Sequence, residues 1–128
     1  VEGEPVVTPE TAATMQDMMQ MVVGEGGTAK VAEVPGYLMG GKTGTAQRYD
    51  EDCGCYSGYT ASFIGMAPAD DPQIVVGAWF DNPSGSYYGG DVAAPVVQKL
   101  MTAALASQNV PPTGGKRAKF PLTWGGMP

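Results

Sequence analysis

Lys42, Thr43, Gly44 and Thr45 place an ammonium, two hydroxyls and a bare backbone in consecutive positions. On an extended strand successive side chains point to opposite faces, so Thr43 and Thr45 share one face while Lys42 and Gly44 share the other. Two hydroxyls side by side suit a carboxylate, and the glycine between them lets another backbone come close. If the strand lies at a sheet edge, its free N–H and C=O groups can also pair with an extended peptide. The 128 residues contain no histidine, so a His-based triad, a His-rich zinc site and a histidine general base are excluded within them. Acid–base work in this segment falls to Lys, Tyr or carboxylates.

Other residue groupings carry weaker chemistry. Cys53-Gly54-Cys55 offers two thiols where a structural zinc site needs four ligands, and no third cysteine exists. No metal is expected there, and no cofactor. The acidic neighbours Asp50, Glu51 and Asp52 disfavour a reactive thiolate. The pair is therefore expected to be reduced or locally bridged in a loop that folds over the edge of the lysine strand. Asp81, Asp91 and Glu25 fall in turns, where carboxylates are ordinarily solvated or capping. Tyr87 and Tyr88 read as packing residues, and Lys116, Arg117 and Lys119 as solvated tail charges.

The elements that must position these groups follow from the pattern. Thr8, Pro9 and Glu10 form a helix start: a hydroxyl cap, a proline where no N–H is needed, and a negative charge at the positive helix end. Ala12, Met15, Met18, Met19, Val22 and Val23 recur at three- and four-residue spacing, predicting a helix over 8–23 with this stripe as core and Gly24 as its end. Gly26-Gly27-Thr28 is a break, and 29–33 a short helical turn. Tyr37-Leu38-Met39 lead into the lysine strand, which gives way to a polar stretch over 48–58. Tyr59 to Ala67 reads as a strand stopped by Pro68. Ile74 to Phe80, continuously apolar, reads as a strand buried on both faces. A second helix is expected from Val92 through Ala106, with Val96, Val97, Leu100, Met101, Ala104 and Leu105 on its apolar side. The fold class is α+β: an antiparallel three-stranded sheet with flanking helices. Residues 1–110 form the body, and 111–128 a tail in which Trp124 is a candidate anchor.

With 43% apolar and 16% charged residues the chain is globular in composition, and its length suits one small domain. A net charge of −6 argues against nucleic acid as a partner. No apolar run approaches the ~20 residues of a membrane span, and no export signal is visible.

The triplet Lys-Thr-Gly is a motif of penicillin-binding proteins and class A β-lactamases, where it accompanies S-x-x-K and S-D-N-type motifs. Here it lies in Gly36–Gln47 (GYLMGGKTGTAQ), followed by Tyr59–Ala69 (YTASFIGMAPA), Tyr87–Gly90 (YYGG) and Val92–Val96 (VAAPV). Over residues 6–110 the chain resembles the carboxy-terminal part of the transpeptidase domain of class B penicillin-binding proteins, and most of all their septal, cell-division branch. The resemblance implies a serine transpeptidase/β-lactamase-like fold and a peptidoglycan D,D-transpeptidase activity. The substrate would be a stem peptide and the inhibitors β-lactams. It implies that Lys42 supplies positive charge near the nucleophile, that the hydroxyls of Thr43 and Thr45 hold a carboxylate, and that Gly44 permits close approach. The backbone N–H of Thr45 would be one of two oxyanion donors, a preorganised charge stabilisation of the kind that dominates acyl transfer. Location on the extracytoplasmic face of the bacterial membrane, and partnership with division proteins, are implied as well.

The other two motifs are absent. Ser57, Ser62, Ser84, Ser86 and Ser107 are followed three residues on by Thr60, Gly65, Tyr87, Gly89 and Val110, so no S-x-x-K exists. Ser107-Gln108-Asn109 fits S-x-N by spacing alone, beyond the last helix. The nucleophile is expected in a serine-bearing remainder of the same protein, together with a membrane anchor, and this chain alone is expected to be inactive. The triplet is also compatible with a D,D-carboxypeptidase or β-lactamase, in which water takes the acyl group, and with a non-catalytic β-lactam sensor or peptide-binding module.

Overall fold

The computed structural model describes residues 3–117 and residue 119; Trp124 lies outside them. Helix α1 (Pro9–Val23) begins as its sequence dictates: the Thr8 side chain accepts from the Thr11 amide, Pro9 occupies the first turn, and Gly24 closes the end. A single 3₁₀ turn, Lys30–Ala32, follows. Three strands then run in chain order, β1 (Gly40–Asp50), β2 (Cys55–Ala67) and β3 (Ile74–Asp81). They form one antiparallel sheet in the order β1-β2-β3. Helices α2 (Gly89–Val92) and α3 (Ala94–Ser107) complete the body.

One face of the sheet is buried. Alternation along β2 turns Ala61, Phe63, Gly65 and Ala67 inward. Phe63 and Ala67 join Val97, Met101 and Leu105 of α3, together with Met39, Val23, Ala32 and Val34, in a single core. Each large side chain buried in that core contributes about 1.5–3 kcal/mol. The opposite face keeps Ile64, Val75 and Trp79 exposed, Trp79 at 73%. Here β3 departs from expectation, since its continuous apolar run is covered on one face only. The described part of the sheet ends at β3, and among the described residues no second layer covers the outer face, where Ile64, Val75 and Trp79 stay exposed.

Three further expectations are corrected. In α1 the buried stripe runs through Gln20 and Val23, whereas Met15 and Met18 are about half exposed. Burial in α1 is confined to its last turns, at Gln20 and Val23, and among the described residues its first turns are exposed or half-buried. The strands also extend through the polar stretch, pairing Tyr49 with Tyr56 and Asp50 with Cys55. An aromatic pair across the ladder, Tyr49–Tyr56 at 5.9 Å, stabilises pairing where the burial pattern is silent. Finally, the second helix is split at Ala93. Ala93 donates to Gly89 and Val97 donates to Ala93, but Pro95 has no N–H with which to continue the ladder between them.

The hairpin tip carries a Cys53–Cys55 disulfide, with Cα atoms 5.2 Å apart. It continues the ladder five residues beyond Thr45, about 17 Å at strand rise, and does not fold back over the lysine strand. Residues after α3 return across the body. Thr113 donates to Asp70 at 2.9 Å and Arg117 reaches Glu33 at 3.0 Å, so Arg117 is ion-paired and not a free tail charge.

Candidate active site

The lysine strand is the sheet edge. Among the described residues β1 pairs with β2 alone, Thr43 opposite Phe63, Gly44 opposite Ser62 and Thr45 opposite Ala61. This register puts Thr43 and Thr45 on the face that carries the helices, and Lys42 and Gly44 on the other, as strict alternation requires.

Beside the two threonines lies a cleft of about 280 Å³ lined by Thr28, Thr43, Thr45 and the Tyr88–Asp91 segment. The segment is held close because it has no side chain where it touches the sheet. A Cβ on Gly89 would come within 2.0 Å of the Ser62 carbonyl oxygen and 2.6 Å of that of Gly44. The Gly89 amide donates to Thr45 Oγ1 at 3.4 Å, and Thr28 Oγ1 lies 3.1 Å from Thr43 Oγ1. Each strand hydroxyl therefore has one hydrogen-bond partner, and that partner belongs to the lining of the same cleft.

Lys42 is exposed, and its Nζ donates to the Thr43 carbonyl at 2.8 Å. That ammonium has two further donors to offer. Gly44 has a structural role besides ligand approach: a Cβ there would sit 2.4 Å from Ser62 Oγ across the ladder. Tyr88, which lines the cleft, is backed by two further rings. Tyr59 stacks on Tyr87 at 4.4 Å and Tyr87 lies 4.6 Å from Tyr88. The hydrogen bond between the Tyr87 and Tyr88 hydroxyls raises the Tyr87 pKa above the ordinary tyrosine value.

Of the residues singled out in the sequence, Thr43, Thr45, Tyr88 and Asp91 come together at this cleft. Asp91, in the first turn of α2, accepts from Ser86 Oγ at 2.6 Å and caps no backbone group of that helix. Asp81 is tied to Arg48 and Thr60, and Glu25 is ion-paired with Lys30, which lowers the Glu25 pKa. Neither of these two carboxylates lines the cleft. Sequence reasoning overlooked Thr28 and Gly89; the runs Gly26-Gly27-Thr28 and Tyr88-Gly89-Gly90 were the available signals. A larger hollow, about 360 Å³, lies between Pro68, Gln73 and Asn109; it shares no lining residue with the first and has no cation in its lining.

Two aligned hydroxyls beside a cleft, on an edge strand whose other face carries an ammonium, can hold an anionic group. The comparisons with known proteins decide the family. The penicillin-binding protein transpeptidase domain model matches residues 1–102. The chain belongs to the penicillin-binding protein transpeptidase family. Stage V sporulation protein D of Bacillus subtilis is 44% identical over 113 residues, covering 88% of this chain and 17% of that protein. Penicillin-binding protein PbpB of Mycolicibacterium smegmatis is 42% identical over 120 residues, covering 86% and 18%. Among solved structures, penicillin-binding protein 3 of Mycobacterium tuberculosis in complex with ampicillin superposes with a TM-score of 0.77 at 37% identity, covering 95% of this chain and 31% of that one. The transpeptidase domain of Burkholderia pseudomallei penicillin-binding protein 3 gives 0.75 at 41%, covering 87% and 34%. The fold is thus that of the penicillin-binding transpeptidases. The chain spans less than a fifth of these curated relatives.

Proposed function

We propose that this chain supplies the lysine-threonine strand of a peptidoglycan D,D-transpeptidase. The serine nucleophile and the S-x-N motif are carried by the remainder of the same protein. The observation that carries the reading is the pair Thr43 and Thr45, aligned on one face of an edge strand beside the cleft, next to Lys42. In this reading the serine attacks the penultimate peptide carbonyl of a stem peptide. The terminal D-alanine leaves, and the acyl group passes to an amine of a neighbouring strand. Thr43 and Thr45 hold the terminal carboxylate, and Gly44 keeps the strand flat against Ser62. Lys42 keeps positive charge beside the nucleophile, and the Thr45 N–H is one donor of the oxyanion hole. β-Lactams, whose carboxylate copies that of the stem peptide, acylate the same serine.

Residues 1–110 are the carboxy-terminal part of the catalytic domain and 111–128 its tail. The catalytic domain works on the extracytoplasmic face of the bacterial cytoplasmic membrane, anchored through the remainder, with division proteins as partners. This reading is supported by the names of the curated relatives, which include the Neisseria proteins named "Probable peptidoglycan D,D-transpeptidase PenA". The experiment is acylation of the intact serine-bearing protein by a penicillin, followed by mass spectrometry. Wild type gains one penicillin mass on one serine, and Lys42→Ala slows the acylation by about 10²–10³, the scale of losing a preorganised charge. Absence of any adduct on the intact protein refutes the reading.

A further inference from the structure

The two strand hydroxyls each have one partner from a neighbouring loop, Thr28 for Thr43 and the Gly89 amide for Thr45. A carboxylate only accepts hydrogen bonds, so a threonine that holds one must spend its single O–H on the ligand. Its oxygen is then free to accept a bond from elsewhere, and such a bond polarises the O–H that points forward. For Thr45 the bond is fixed in direction, because the Gly89 amide can only donate. Thr43 has a hydroxyl partner, Thr28, with which either oxygen could act as donor.

Thr28 is not a casual neighbour. Its loop is stitched to α1: the Gly27 amide donates to Gly24 and the Ala29 amide to Val22. A Cβ on Gly27 would lie 2.3 Å from the Met21 and Val22 carbonyl oxygens, so the loop sits flat on the helix end. From the other side Gly90 closes on it, where a Cβ would come 2.1 Å from the Thr28 carbonyl oxygen. The backbone that carries the Thr28 hydroxyl is thereby confined from both directions.

We propose that Thr28 is a positioning residue for carboxylate binding: it donates to Thr43 Oγ1 and so commits the Thr43 O–H to the ligand, as the Gly89 amide does for Thr45. The inference rests on the carboxylate-binding reading of Thr43 and Thr45 given above. Without Thr28, the Thr43 hydroxyl can rotate toward other acceptors, and the ligand loses an oriented donor. The serine and its acylation chemistry are untouched, so the loss falls on binding.

The test follows acylation of the intact serine-bearing protein by a penicillin and by the methyl ester of the same penicillin. Thr28→Val keeps shape and removes the hydroxyl; Thr28→Ser keeps the hydroxyl. The second-order acylation constant for the free acid is expected to fall about fivefold in Thr28→Val, the scale of one hydrogen bond, through weaker binding and not through slower chemistry. The ester is expected to react equally with both proteins, and Thr28→Ser to stay near wild type. Equal slowing of acid and ester overturns the proposal, because the loop then matters only for shape. So does an unchanged Thr28→Val when Thr43→Val is slow, since Thr43 is then oriented without help. If Thr43→Val is itself unchanged, the carboxylate reading of the strand fails, and the role of Thr28 fails with it.

Discussion

Gly89→Ala is the sharpest probe of how the Tyr88–Asp91 segment builds the cleft. The new methyl would lie 2.0 Å from the Ser62 carbonyl oxygen, 2.6 Å from that of Gly44 and 2.9 Å from the Ser62 carbonyl carbon. All three are backbone atoms of the central and edge strands, which cannot step aside as a flexible side chain would. An ordinary carbon–oxygen contact needs more than 3 Å, so the segment must retreat by about 1 Å, an overpacking that costs about 1–3 kcal/mol. The Gly89 N–H···Oγ1 Thr45 bond, already 3.4 Å, is then broken, adding about 1 kcal/mol. The sum, about 2–4 kcal/mol, lowers the melting temperature of a domain of ordinary size by about 4–16 °C. Because Thr45 loses its amide donor and the cleft widens, β-lactam acylation of the intact protein is expected to fall by up to about 10²-fold, the penalty for a 1 Å misplacement. The control is Gly85→Ala, where φ is +89° and no atom stands within 4 Å of the added methyl. It costs backbone strain of about 1 kcal/mol and leaves acylation as it was. Calorimetry and acylation kinetics on both variants decide the matter. A Gly89→Ala protein that melts with wild type and acylates within a factor of about two refutes the argument that this glycine sets the cleft.

Two further outcomes follow from the packing. Phe63→Ala, which empties the space between the sheet and Val97, is expected to cost about 3–5 kcal/mol in denaturant unfolding, whereas Ile64→Ala on the exposed face costs well under half of that. Cys53→Ser with Cys55→Ser opens a bridge whose loop holds one residue between the cysteines. Loop-closure entropy then sets an upper bound of about 1.5 kcal/mol, and because the β1–β2 ladder already closes the same turn, thermal unfolding is expected to shift by only a few tenths of that bound.

The pairing of Thr43 with Thr45 was legible in the sequence because a strand has a period of two and no side chain can escape it. The cap at Thr8 was legible for a similar reason, as three adjacent residues each meet a separate demand of a helix start. Burial was less legible. Val75 and Trp79 read as core because apolar residues in a strand ordinarily face other protein, and nothing in their own sequence says on which side that protein lies. Met15 and Met18 misled in the same way: periodicity marks one side of a helix as apolar without saying how far along its length the neighbouring layer reaches.

The site was half legible, and the division between the halves is physical. Lys42, Thr43, Gly44 and Thr45 are consecutive, so one local geometry orders them all. Thr28 reaches Thr43 across 15 positions and Gly89 reaches Thr45 across 44, through loops whose paths depend on the whole sheet. Gly44 shows how a correct motif can conceal a second cause. Its bare backbone suggests ligand approach, yet Ser62 Oγ already occupies the space a side chain would need. An alanine at 44 would force the Ser62 hydroxyl to turn away before any ligand arrived, and activity lost on that substitution would not by itself report on ligand contact. The hydroxyl substitutions at 28 and 43 are free of this ambiguity, because isosteric valine removes a hydrogen bond while the ladder, the core and the glycine contacts stay in place.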